Sequence, residues 1–377
     1  MSSPIRTGAN RSVSLVLRGT ADGGSGSRSD WIGLAGRVFH APIIRAVPDL
    51  RLAAILERSG DEARRRYPDV RVVRTIDDLL TIESIQLIVL ATPNTSHFAF
   101  AAQCLRAGRH VVVDKPFTTT YEEAAELVRI ATRAKRLITV FQNRRWDGDF
   151  RTVRRMVEQR SMGRTVLFES RFERYRPNLR PGAWREGSEP GSGILFDLGP
   201  HLLDQALVLF GAPLAVSADV RSEREGAAAD DAFDIVLHYP AMRALLRSTM
   251  LACEPGPRFC VNGTNGSFVK YGLDPQEKAL ARGETPRDGS WGLEPEESWG
   301  TVTLAQDGTV TRKRVATEAG DYRRYYENVR DAILSGAPPD VTPRQALTVI
   351  RLLELARESS RQRRTLEFKP VAEDCDS

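Results

Sequence analysis

Between residues 51 and 140 short apolar runs alternate with stretches whose apolar positions recur at helical spacing. The runs at 52–56, 85–90, 110–113 and 137–140 are nearly uninterrupted, and helical stretches at 61–66, 95–107 and 120–134 separate them. Strands that are apolar on both faces must be covered on both, so this alternation predicts an α/β domain with a doubly wound parallel sheet over residues 31–141. After residue 150 the period shortens to two, as at 165–174 and 233–239. Turn signals appear as well: Asn262-Gly263 and Asn265-Gly266 lie between 259–261 and 267–271, and Asp307-Gly308 separates 301–304 from 310–315. The prediction for residues 142–368 is an α+β domain on a mostly antiparallel sheet. Two helices close it, at 322–334 and 342–361, the second opened by Thr342, Pro343 and Gln345 in the pattern of a capping box. Residues 272–300, rich in Gly, Pro and charge, receive no regular structure, and 369–377 read as a disordered tail.

Composition narrows the function classes. The 377 residues carry 54 Lys+Arg against 49 Asp+Glu, a formal +5 spread over mixed-sign helices, which suits anionic ligands and gives no polybasic block for nucleic acid. The four cysteines form no C-x-x-C pair and have no ligand-spaced histidines, so neither a zinc site nor a disulfide framework is expected. No apolar run approaches the roughly 18 residues of a membrane span. The expectation is a cytoplasmic protein without membrane or nucleic-acid partners.

A strand, a Gly-rich turn and a helix N-terminus together bind dinucleotide phosphates. Gly33-Leu34-Ala35-Gly36 supplies the second and third glycines of such a turn, and residues 37–47 the helix, but Trp31 stands at the first glycine position. Residues 12–17 are the candidate first strand, within an atypical segment 1–30 whose Gly- and Ser-rich stretch at 19–30 reads as flexible. Glu57 ends the next strand, where it can accept hydrogen bonds from ribose hydroxyls and favour NAD. Arg58 and Ser59 beside it can bind a 2′-phosphate and favour NADP, so the residues leave that choice open.

Asp114-Lys115-Pro116 follows the 110–113 strand and places a lysine at the carboxyl edge of the parallel sheet, where open α/β folds bind ligands. There a lysine can polarise a substrate oxygen or exchange a proton with it. The Gly-rich run 191–193 enters a second helix carrying Asp197 and His201, four apart and on one face, with Asp204 and Gln205 extending that face. Imidazole titrates near neutrality, so His201 suits transfer of an alcohol proton, with Asp197 orienting it or holding a hydroxyl.

Asp114-Lys115-Pro116 and the run to Asp197 and His201 resemble the Gfo/Idh/MocA oxidoreductases. Further segments are similar to the scyllo-inositol dehydrogenase-like branch: Ala91-Thr92-Pro93-Asn94, Arg174-Tyr175-Arg176-Pro177, Trp184-Arg185-Glu186, and 142–147 and 270–277. The resemblance covers 32–368 and fails before it. It implies a Rossmann domain binding NAD or NADP and a second domain whose open-faced sheet often mediates oligomerisation, with a dimer or tetramer expected. The expected activity is hydride transfer on an inositol or sugar-like polyol, the alternatives being a dinucleotide-binding sensor without turnover or a dehydrogenase of another sugar-derived substrate. Lys115, Asp197 and His201 match the catalytic positions. Thr92, Pro93, Asn94 and His97 would line the nicotinamide, with Asp114, Lys115, Trp184 and Arg185 at the cofactor and Arg144, Arg145, Tyr175, Asp197, His201 and Tyr271 at the substrate.

Overall fold

The computed structural model describes residues 13–19, 35–180, 182–287 and 289–370. In the N-terminal half the elements are β1 (Val13–Gly19), α1 (Ala41–Ile44), β2 (Leu50–Leu56), α2 (Glu62–Arg66), β3 (Arg71–Val73), α3 (Ile76–Leu80), β4 (Leu87–Ala91), α4 (His97–Arg106), β5 (His110–Val113), α5 (Tyr121–Ala134) and β6 (Ile138–Val140). All six strands run parallel in the order β3-β2-β1-β4-β5-β6. The order reverses between β1 and β4, which opens a crevice at their carboxyl ends. All five residues of β4 are buried, which is why its sequence is uninterruptedly apolar.

The candidate strand at 12–17 is thus a central strand, paired with β2 and β4. Gly33, Leu34 and Trp31 lie outside the described residues, as do most of segment 1–30 and residues 371–377. The helix expected at 37–47 is replaced by a π-helical turn, Ala35–His40, followed by the four residues of α1. Pro42 accounts for this: without an N–H it cannot donate to the carbonyl of Val38, so a regular α-helix cannot run through.

The second half begins with α6 (Gly148–Glu158), β7 (Thr165–Glu173), α7 (Ile194–Phe210), β8 (Ala215–Arg221), β9 (Ala232–His238), β10 (Arg243–Thr249), β11 (Phe259–Gly263) and β12 (Gly266–Lys270). It continues with α8 (Gln276–Ala281), β13 (Gly300–Gln306), β14 (Thr309–Val315), α9 (Arg323–Ser335), α10 (Pro343–Gln362) and β15 (Leu366–Glu367). Nine strands form one sheet, antiparallel except where β7 and β10 pair in parallel. Its inner face, with Phe168, Phe172, Phe233, Ile235, Leu246 and Phe259, is buried beneath α7 and α10. The outer face carries interlocked charges, Glu169 with Arg171 and Asp234 with Arg221 and Arg247. Residues 272–300 contain a helix after all, α8, which Asp274 opens by accepting the Gln276 N–H at 2.8 Å. Among the described residues no helix is long and apolar enough to cross a membrane.

Candidate active site

The site lies where the carboxyl ends of β4 and β5 meet the N-terminus of α7. β5 delivers Asp114 and Lys115, joined to Pro116 by a cis peptide bond. Asp114 Oδ1 accepts the Lys115 N–H at 2.8 Å, and His40 Nε2 lies 3.8 Å from Oδ2. Burial opposes ionisation of Asp114, but His40 and the Lys115 charge outweigh it and hold the carboxyl below its ordinary range. His97, predicted to line the nicotinamide, is instead fully buried. Its Nδ1 lies 2.9 Å from the Pro116 carbonyl and its Nε2 2.9 Å from that of Thr92, so the ring braces the β4 and β5 turns from behind.

The second half of the site depends on how α7 begins. Gly193 precedes it at φ 88°, a conformation that favours glycine, and a Cβ there would fall 2.3 Å from an Asp230 oxygen. Asp230 accepts the Leu195 N–H at 2.7 Å through its side chain and the Ile194 N–H at 2.8 Å through its carbonyl, capping the helix. Asn94 Nδ2 donates to the Gly191 carbonyl at 2.9 Å, tying the β4 loop to this entry. The first turn then aims Asp197 at β5. Lys115 Nζ donates to its carboxylate at 2.9 Å and to its carbonyl at 2.6 Å, and Arg185 Nε lies 3.3 Å from the same carboxylate oxygen. Burial alone would raise the Asp197 pKa; Lys115, Arg185 and Arg174 reverse this and hold it well below the carboxylate range.

One turn on, His201 is buried, its ring edge-on to Phe172 with centroids 6.4 Å apart, and its Nδ1 has no hydrogen-bond partner among the described residues. Burial, reinforced by the charges of Lys115 and Arg144, pushes its pKa well below 6.5, so the imidazole is neutral. A shallow recess beside Asp197 and Lys115 is walled by Asn94, Trp184 and Arg185, whose guanidinium stacks 4.8 Å above the Trp184 ring.

The other predicted residues are distributed differently. Thr92 and Pro93 stand at the β4 end with Asn94. Arg144 is buried, pairing with Asp147 at 3.3 Å and Glu277 at 2.5 Å, and reaches the site through its charge on His201. Arg145, expected at the substrate, is a structural cross-link: it grips both oxygens of Asp204 on α7 at 2.6 and 2.7 Å and reaches Gln345 on α10. Tyr175 and Tyr271 are exposed, at 56% and 60%. Glu57, expected to face the ribose, is fully buried and turned inward. Its Oε1 accepts the Glu62 and Ala63 N–H groups at 3.1 and 3.2 Å, so it serves α2 and leaves Arg58 and Ser59 exposed at the strand end. Sequence reading assigned no role to Glu277 or Arg174, whose charges act on Lys115, Arg144 and Asp197; the Asp274-Pro275 helix start was the signal available for the first.

Group by group, the donor set fits a dinucleotide. Arg58 and Ser59 suit an adenosine-ribose phosphate, and Asn94, Trp184 and Lys115 suit a nicotinamide beside its substrate. Fold and site together define a nicotinamide-dependent oxidoreductase. A family model described as oxidoreductase family, NAD-binding Rossmann fold matches residues 32–142, and one described as oxidoreductase family, C-terminal alpha/beta domain matches 154–368. The chain belongs to the Gfo/Idh/MocA oxidoreductases. It is 42% identical to the uncharacterized oxidoreductase YdgJ of Escherichia coli (strain K12), over 89% of this chain and 96% of the relative. It is 36% identical to the scyllo-inositol 2-dehydrogenase (NADP(+)) IolW of Bacillus subtilis (strain 168), over 89% of this chain and 93% of the relative. The structure of yvaA from Bacillus subtilis superposes with a TM-score of 0.90 at 33% identity, covering 96% of this chain and 100% of that one.

Proposed function

We propose that the chain transfers a hydride reversibly between NADP and a ring hydroxyl of an inositol or sugar-like polyol. The observation that carries this reading is the Lys115–Asp197 pair beside the Asn94 and Trp184 recess, with His201 one helical turn beyond Asp197 and within reach of both charges, and the resemblance to IolW supports it. Bound nicotinamide supplies the hydride acceptor at C4. Lys115, held by Asp197 through two hydrogen bonds, keeps a third N–H for the substrate oxygen. Neutral His201 takes the hydroxyl proton as the C–H bond breaks, and returns it in the reverse direction.

This assignment fixes a pH response. The folded pKa of His201 lies below its ordinary 6.5, so the neutral base persists under mildly acidic conditions. By linkage, the unfolded chain binds a proton there that the folded chain refuses, so this residue's contribution to stability shrinks as pH falls below 6.5. In alcohol oxidation, kcat/KM should hold its plateau through 6.5 and decline only at lower pH; an acid limb centred at or above 6.5 would exclude His201 as the base.

Cofactor choice follows from the β2 end. With Glu57 occupied by α2, the exposed Arg58 and Ser59 favour a 2′-phosphate. Arg58→Ala should raise KM for NADPH about 10- to 100-fold, the worth of a charge-assisted hydrogen bond, and leave KM for NADH within about twofold. Equal effects on both cofactors would refute the preference.

We infer further that residues 31–141 act as the cofactor domain and 142–368 as the substrate domain. The charge-laced outer sheet face would join copies of the chain as a dimer or tetramer, which light scattering would count.

A further inference from the structure

Beside Asp197 the chain gathers positive charge that it does not neutralise. Beyond β7 the backbone stays anchored, with Arg174 N–H donating to Thr249 at 3.0 Å and Arg176 N–H to Met250 at 2.7 Å. Both side chains line an open cleft that also holds Arg180, Arg185 and Arg224 with the carboxylates of Glu186, Asp197, Asp230 and Asp231. Three of the five arginines are accounted for: Arg180 pairs with Glu186 at 3.1 Å, Arg185 with Asp197 at 3.3 Å, and Arg224 with Asp231 at 2.8 Å. The guanidinium groups of Arg174 and Arg176 make no hydrogen bond or ion pair with any described residue. Arg174 is moreover only partly exposed. Burial, opposed in part by Asp197 but reinforced by the like charges of Arg176 and Arg144, weakens its hold on its proton.

The nearby carboxylates relieve this charge only in part, because Asp197 is already engaged by Lys115 and Arg185, and Glu277 by Arg144. A neutral polyol gives two unpaired guanidinium groups nothing that water does not, whereas an oxyanion matches their planar fork. We propose that the substrate carries a carboxylate or phosphate, bound by Arg174 and Arg176, while a neutral ring hydroxyl reacts at Lys115 and His201. The preferred substrates are then sugar acids or phosphorylated polyols, in contrast to the uncharged scyllo-inositol of the IolW name. This inference rests on the polyol dehydrogenase reading for which group reacts, but the anion site can be measured without turnover.

The test is calorimetric titration of the NADPH-saturated protein, in which alcohols bind without reacting. Sorbitol is compared with sorbitol 6-phosphate and gluconate, and myo-inositol with myo-inositol 1-phosphate, each at low and high salt. The expected result is that at least one anionic form binds about tenfold or more tightly than its neutral parent, with affinity falling as salt rises. A phosphate or carboxylate preference distinguishes the two oxyanions. The Arg174→Gln/Arg176→Gln double variant should erase that preference and still bind NADPH within about twofold. Equal binding of neutral and anionic forms, binding of no anionic form, a preference that survives in the double variant, or loss of NADPH binding in it would overturn the proposal. Turnover of neutral polyols without any anionic preference sinks this inference alone. An arginine-dependent anionic preference with no turnover of any polyol sinks the dehydrogenase reading and leaves the anion site standing.

Discussion

Lys115→Met should lower kcat for polyol oxidation by about 10²- to 10⁴-fold while leaving NADPH affinity within about twofold. The two described hydrogen bonds of the lysine Nζ both go to Asp197. Methionine keeps the length and apolar stem but removes every donor, so the substrate oxygen loses its partner. Asp197 keeps Arg185, at 3.3 Å, and the more distant charge of Arg174. Because Lys115 is also one of the charges that keep His201 neutral, the variant should shift the acid limb of the remaining activity upward. A kcat within tenfold of the native enzyme would remove Lys115 from the catalytic set.

What the sequence showed of this arrangement follows physical lines. The strands of the parallel sheet were legible because burial on both faces demands uninterrupted apolar residues, as in β4 and β5. Asp197 and His201 were legible because a helix forces positions four apart onto one face. α8 was not: it has only six residues, fewer than two turns, too short for a period to register. Glu57 shows a different limit. An acidic residue at the end of β2 suits a ribose, and nothing local says that the amides of Glu62 and Ala63 will capture it first. Arg144 and Arg145 are neighbours with similar chemistry, yet their partners, Glu277 and Asp204, lie 133 and 59 residues away. Only the tertiary fold decides which of them acts on the site.

That distinction can be measured on the Arg145 side. Asp204→Asn should destabilise the fold by about 3–5 kcal/mol, the cost of leaving one partner of a buried ion pair uncompensated. Arg145 and Asp204 are 8% and 3% exposed, so solvent cannot rescue the orphaned guanidinium. The damage should spread beyond one contact, since Arg145 also donates to the Asp340 carbonyl and to Gln345 in the capping box of α10, the helix that packs on α7. Urea unfolding would read the loss. The Arg145→Met/Asp204→Leu pair should recover most of it, because the desolvated charges leave together. Lys115→Met should leave the unfolding midpoint nearly unchanged, since its partner Asp197 keeps Arg185. A catalytic loss at Lys115 without a stability loss, and the reverse at Asp204, is the pattern this division of labour requires. An Asp204→Asn protein that unfolds within about 1 kcal/mol of the native one would show that the pair does not hold α7 in place.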